Sequence, residues 1–142
     1  MKRLLLLSLT LLITLPAFSQ SPKYPYGSDG WWRNVSNQTI TILSSPVPSV
    51  RTQALKNCIY YVTYHPDRIT LEKAVKPIIK LHQRDSDPYV RKLAVAALEA
   101  IGDMSAKRYL AMAVSPDEAR ASHQLIVEVL DEFAERSSGP TL

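Results

Sequence analysis

One short pattern, Pro-x-Val-Arg-x-x-Ala, occurs twice in this chain at a spacing of 40 residues. The first copy covers residues 48–54 and the second covers residues 88–94. A weaker third copy begins at Pro116, with Arg120 near the matching place. Self-similarity at this period predicts stacked helical hairpins, because a single hairpin leaves its apolar stripe exposed to water.

Hydrophobic periodicity predicts an all-α fold. Apolar residues recur at three- and four-residue intervals between capping residues and prolines. The predicted hairpins pair residues 31–44 with 48–65, 70–84 with 88–101, and 105–114 with 117–136. The first of these segments also alternates like a strand at Thr39-Ile40-Thr41-Ile42. We favour a helix there, because an isolated strand would have no partner in an otherwise helical chain.

The segment that most clearly shows the pattern of a helical repeat runs from Lys76 to Gly102. It includes Pro77 and a turn at Asp85. It resembles the HEAT-repeat family, including the short HEAT-like units of bacteria. The resemblance covers about residues 31–136 and is strong only over residues 46–102. It implies a short right-handed α-solenoid of about three HEAT-like hairpins.

The same resemblance implies a structural ladder between neighbouring repeats. In the family, an acid at the turn, here Asp85, and the arginine six residues later, here Arg91, form this ladder. Arg51 stands at the equivalent place of the first repeat. Ser45 and Val114 stand where the acid of the other repeats belongs, so the ladder is complete in one repeat only.

The N-terminus has the composition of a bacterial Sec-type export signal. Lys2 and Arg3 precede an apolar run from Leu4 to Leu15, and a small-residue cleavage site follows at Ser19. As a helix the run spans about 18 Å, well short of a bilayer core of roughly 30 Å. We expect a signal peptide over residues 1–19, a periplasmic or secreted protein, and no stable membrane insertion after cleavage.

Two further segments flank the expected repeat domain at residues 31–136. Residues 20–30 are rich in Pro, Gly and Ser and predict an extended linker, and residues 137–142 predict a disordered tail. Cleavage of the signal would remove two basic residues and lower the formal net charge from +4 to about +2. A charge this small argues against a nucleic-acid binder.

Charge is unevenly distributed after the signal. The chain is basic up to about residue 112 and acidic from residue 113 onward. This asymmetry fits either one face of a charged binding surface or a solvated helix face.

No motif predicts a catalytic, cofactor or metal site. The three histidines share no ligand spacing, and no Gly-x-Ser-x-Gly or phosphate-binding loop occurs. Cys58 lies on an apolar helix stripe, which favours a buried and inert thiol over an intermolecular disulfide. We therefore expect no cofactor and no enzymatic activity.

Aromatic residues concentrate in the first half of the chain. Because Tyr and Trp are enriched at binding hot spots, five of them are candidate partner-binding residues: Trp31, Trp32, Tyr60, Tyr61 and Tyr64. The alternative is that they pack over the first repeat and close the end of the array.

The sequence therefore favours an exported, non-enzymatic module that serves as a scaffold or adaptor for a protein partner. A cell-wall or carbohydrate-binding module that uses the aromatic cluster is the alternative. HEAT-like repeats also occur in bilin lyases of photosynthetic bacteria, which makes a lyase-type enzyme or enzyme subunit a third and weaker reading. Self-association of the chain stays open.

Overall fold

The computed structural model describes residues 24–139 of the chain. Over this range six α-helices follow one another and no strand occurs: α1 (Asp29–Ile42), α2 (Pro48–Tyr64), α3 (Glu72–Arg84), α4 (Pro88–Ile101), α5 (Met104–Ala113) and α6 (Pro116–Ser137). The expected all-α fold is confirmed, and so is the helix expected over residues 31–44.

Local sequence sets the ends of these helices. Proline occupies the first helical position of three helices at Pro48, Pro88 and Pro116, where its missing N–H removes no hydrogen bond. Ser115 begins α6 with a capping box, which satisfies two N–H groups of the first turn. Gly102 ends α4 with a left-handed backbone at φ 61°, a conformation that favours glycine.

The helix α4 lies at the centre of the molecule. It packs against α2, α3, α5 and α6. Its buried side chains cover more than one face, as expected of a helix surrounded by others: Val90, Leu93, Ala94, Val95, Ala96, Ala97 and Leu98. The core therefore forms around α4, and the other helices cover it.

The first two predicted hairpins are packed pairs, and the third is not. α1 packs on α2 and α3 packs on α4, whereas α5 packs chiefly on α4 and also on α3. Ala106 is the buried residue of α5, with Tyr109 and Leu110 half-buried against the core. The apolar side of α6 packs on α4 and α2. The predicted pairing of residues 105–114 with 117–136 is therefore corrected.

The helices α2 and α6 also touch each other, although α3, α4 and α5 lie between them in the chain. The Lys56 ammonium lies 2.5 Å from a Glu132 carboxylate oxygen, and the Tyr60 and Phe133 rings stack with centroids 4.5 Å apart. In a linear repeat array each unit contacts only its neighbours. Here α2, α4 and α6 all contact one another, which differs from that linear pattern.

The flanking segments differ in part from expectation. The expected linker ends early, because the Ser28 hydroxyl accepts a hydrogen bond from the Trp31 N–H and α1 begins at Asp29. At the other end α6 extends to Ser137, the first residue of the expected tail. The expected signal peptide over residues 1–19 lies outside the described residues.

Candidate functional site

The two arginines of the repeated pattern make the same contact with their own turns. Arg51 Nη1 donates to the backbone carbonyl of Ser45 at 2.8 Å, and Arg91 Nη1 donates to that of Asp85 at 2.7 Å. Each guanidinium thus binds the carbonyl six residues before it. The two arginines occupy equivalent places relative to their turns.

Arg51 makes a second contact that Arg91 lacks. Its Nε and Nη2 donate to the two carboxylate oxygens of Asp85 at 2.7 and 3.0 Å, a bidentate pair. The side chains of Arg51 and Asp85 are only 11% and 3% exposed. This pair joins residues 34 positions apart and connects the first helix pair to the second.

The ladder implied by the family resemblance is therefore corrected in one respect. The Asp85 carboxylate pairs with Arg51 of the preceding helix pair, and Arg91 binds the backbone carbonyl of Asp85 instead. The reason is geometric, since the acid at the start of α4 faces back toward α2. No acid stands at Val114, the matching place before α6.

Burial alone would raise the pKa of Asp85, because desolvation disfavours the charged form. Hydrogen bonds from the Arg51 guanidinium and the Asp87 backbone N–H outweigh this effect, and the charges of Arg51 and Arg91 add to them. The net result is a pKa of Asp85 below its ordinary value. Asp85 is thus held ionised as a structural anion.

An open groove lies beside this ion pair, between the turn after α1 and the exposed side of α3. Its volume is about 750 Å³. Half-buried Pro77 and Ile79 contribute apolar lining, and Lys76, Lys80 and Arg84 contribute positive charge. We call this cavity the basic groove. Since Asp85 is already paired with Arg51, no free anion in the groove lining offsets these three cations.

The three cations form a stripe along α3. Together with Lys73 they recur at spacings of three and four residues, which places them along one side of a helix. All four side chains are exposed. None makes an ion pair with any acid among residues 24–139. The basic groove therefore presents uncompensated positive charge to an incoming group.

The aromatic residues predicted to bind a partner lie together, but much of their surface is used in packing. Trp32 is only 8% exposed and belongs to the core. Its ring lies edge-on to those of Trp31 and Tyr61, at centroid distances of 4.7 and 6.1 Å. Burial is also the main cause that raises the pKa of Tyr61. Trp32 is therefore corrected from a candidate contact residue to a core residue.

The aromatic residues near the end of α2 differ in how much of each side chain is exposed to solvent. Tyr60 is half-buried against Phe133 of α6, and Tyr64 is 53% exposed. These three rings line a small cavity of about 180 Å³ with Ala134 and Ser137. Most of this aromatic cluster therefore packs against the rest of the protein, which was the alternative that the sequence left open. On α2, Tyr64 is the main exposed member of the cluster.

A second cavity of about 260 Å³ lies between the first part of α4 and the first part of α6. Beside it the Ser122 hydroxyl donates to one Glu99 carboxylate oxygen, and His123 Nδ1 lies 3.4 Å from the other. A serine hydrolase requires the hydroxyl to contact the imidazole base. Here the carboxylate contacts both groups, so the arrangement ties α6 to α4.

Cys58 is fully buried in α2, as predicted for an inert thiol. Burial raises the pKa of this thiol to about 12. At neutral pH the reactive thiolate is therefore almost absent. Its burial also leaves it unable to reach a second chain without unfolding, which argues against the intermolecular disulfide.

Two further features are absent from the part of the chain between residues 24 and 139. No group of three or more His, Cys, Asp or Glu side chains there is arranged to hold a metal ion. No helix in the same part combines the length and hydrophobicity needed to cross a bilayer.

The sequence alone did not predict the basic groove, although the cations that border it follow a visible pattern in the sequence. Lys73, Lys76, Lys80 and Arg84 are visible as a helical stripe in the sequence. Only the fold shows that this stripe borders a cavity and that Asp85, the nearby acid, is already paired. Over residues 24–139 the fold and the groove together define a small all-α protein with an open, positively charged groove. No protein-family model, no curated protein and no solved structure matches the chain.

Proposed function

We propose that the chain is a short, right-handed α-solenoid of about three HEAT-like hairpins. The equivalent contacts of Arg51 and Arg91 with their own turns support two such units. The bidentate pair between Arg51 and Asp85 supports their stacking. The third unit is modified, since α5 packs on α4 and α6 reaches back to α2.

The chain is an exported protein in this proposal, released from its signal peptide into the periplasm or the medium. The support is the basic, apolar and small-residue order of the first 19 residues. Mass spectrometry of the protein recovered outside the cytoplasm should give a mature chain that begins at Gln20. Recovery of the complete chain from the cytoplasm would contradict export.

Its function is to dock a protein partner as a non-enzymatic scaffold or adaptor. The observation that carries this function is the basic groove, an open cavity of about 750 Å³ with apolar lining. Its three cations are exposed, and none of them forms an ion pair with an acid among residues 24–139. An apolar centre with a charged rim is the common anatomy of a protein interface. Uncompensated cations beside it select a partner whose contacting surface is acidic.

The test is affinity recovery with matched charge reversals. Tagged wild-type protein should recover a partner in a fixed ratio, and the K76E/K80E variant should lose it. The K107E/R108E variant carries the same change of charge on exposed positions of α5, outside the groove, and should retain the partner.

Equal recovery by the wild type and both variants would contradict docking in the groove. Recovery of no partner by the wild type, whether another protein or a second copy of this chain, would contradict the proposed function itself. Purified protein that turned over a substrate would contradict the non-enzymatic part of the proposal.

A further inference from the structure

An acidic surface lies on α6. Glu128, Asp131 and Glu135 are spaced by three and four residues, so they lie on one face of the helix. All three are exposed, and none makes an ion pair within the described chain, residues 24–139. Glu132, in contrast, is paired with Lys56 and Arg136. We call the three unpaired carboxylates the acidic face.

The acidic face and the basic groove match in length. Three cations from Lys76 to Arg84 extend over about 12 Å of helix, and three anions from Glu128 to Glu135 extend over about 10.5 Å. An α6 helix that lies along α3 can therefore place its three carboxylates opposite the three cations of the groove. Neither surface requires any other helix to complete this pattern.

The apolar parts of the two surfaces also correspond. Val127 is 50% exposed and lies beside Glu128 and Asp131 on the outer side of α6. The basic groove offers apolar lining at half-buried Pro77 and Ile79, between Lys76 and Lys80 in the chain. Docking would remove an exposed apolar side chain from water while the charges around it pair.

Within one copy the two surfaces do not neutralise each other. α3 and α6 both pack on α4 and do not pack closely on one another. We infer that the acidic face of one copy docks in the basic groove of a second copy. This inference rests on the proposed function, of which it names the partner. The contact is heterologous, because each copy contributes a different surface.

Sedimentation of the purified protein gives the first measurement. We expect the weight-average mass to rise with concentration to at least twice that of one copy. Because the paired charges lie at the surface, the apparent Kd should rise at least about tenfold between roughly 0.05 M and 1 M NaCl. A single-copy mass at every concentration and both salt levels would overturn the inference.

Charge reversal gives the sharper measurement. The variants K76E/K80E and E128K/E135K should each sediment as single copies, since in each of them the groove and α6 carry the same sign. An equal mixture should associate again, because every groove then meets an α6 of opposite sign. Urea midpoints equal to that of the wild type show that both variants are folded.

Association of the two variants only when they are mixed is expected only if α6 of one copy docks in the groove of another. Two monomeric variants that stay monomeric when mixed would overturn the inference, as would association of either variant alone. If the purified wild type is monomeric but recovers a different protein through the groove, the inference fails while the proposed function stands. If it neither associates nor recovers a partner, both fail.

Discussion

The aromatic cluster and the basic groove are the two candidate binding surfaces of the molecule, but the fold uses their side chains differently. Trp32 is buried, and Tyr60 stacks on Phe133, so most of the aromatic surface closes the end of the core. The groove cations are exposed and make no ion pair within residues 24–139. Side chains that the fold has not already paired are the ones available to a partner.

The same difference separates Arg51 from Arg91. Both arginines belong to the repeated pattern, and both bind the carbonyl of their own turn. Only Arg51 meets a carboxylate, because the turn of the next helix pair carries Asp85, whereas Val114 stands at the matching place before α6. The same local pattern therefore gives its two arginines different partners, and we expect their contributions to stability to differ.

The largest expected change in stability comes from a substitution in the aromatic cluster. Trp32→Ala should lower the free energy of unfolding by about 3–5 kcal/mol, because a large core side chain leaves a cavity. Urea denaturation measures this loss. Tyr26→Ala is the control at an exposed aromatic position, where we expect a change within about 0.5 kcal/mol. A Trp32 effect as small as the control would show that Trp32 is free to contact a partner.

Arg51→Ala should lower the free energy of unfolding by about 3 kcal/mol, because it leaves the buried Asp85 carboxylate without its cation. Arg91→Ala should cost only about 1 kcal/mol, the value of a hydrogen bond to a carbonyl. Equal losses in the same denaturation series would contradict the assignment of the ladder to Arg51.

The pH dependence of stability gives an independent view of the same pair. Because the folded state lowers the pKa of Asp85, the pair's contribution is complete above the unfolded pKa of about 4. It is lost as the pH falls through the lower folded value. The stability deficit of Asp85→Asn relative to the wild type should therefore be constant near neutrality and shrink below about pH 4. A deficit that grew on acidification would contradict the sign of this shift.

The smallest effect on stability belongs to the groove. Lys80→Glu should change the free energy of unfolding by no more than about 0.5 kcal/mol, because the side chain is exposed and makes no ion pair among the described residues. The same substitution should weaken partner recovery. Tyr64→Ala, also exposed, is the matched change in the aromatic cluster and should leave recovery intact.

The helices were predictable because their signals are local. Ser115 with its capping box, Pro88 at a first turn and Gly102 at a last turn each mark an end through residues close in the chain. Contacts between helices depended on packing that no local pattern specifies. The placement of α5 on α4 and the stacking of Tyr60 on Phe133 are of this kind.

The candidate site was less predictable than the fold for the same reason. The repeat located Arg51 and Arg91, but the pairing with Asp85 joins residues 34 positions apart and needs the stacked helices. Residue type alone made Trp32 a candidate partner-binding residue, although its edge-on neighbours bury it. The cations of α3 form a visible stripe, but only the fold gives them a cavity.

Site-specific photo-crosslinking in the producing cells tests the docking role of the groove most directly. A photoreactive residue at Ser44, which is exposed at the groove, should form an adduct with a protein, and K76E/K80E should abolish it. The same residue at Tyr64 in the aromatic cluster should form none. An adduct at Tyr64 with none at Ser44 would contradict the account.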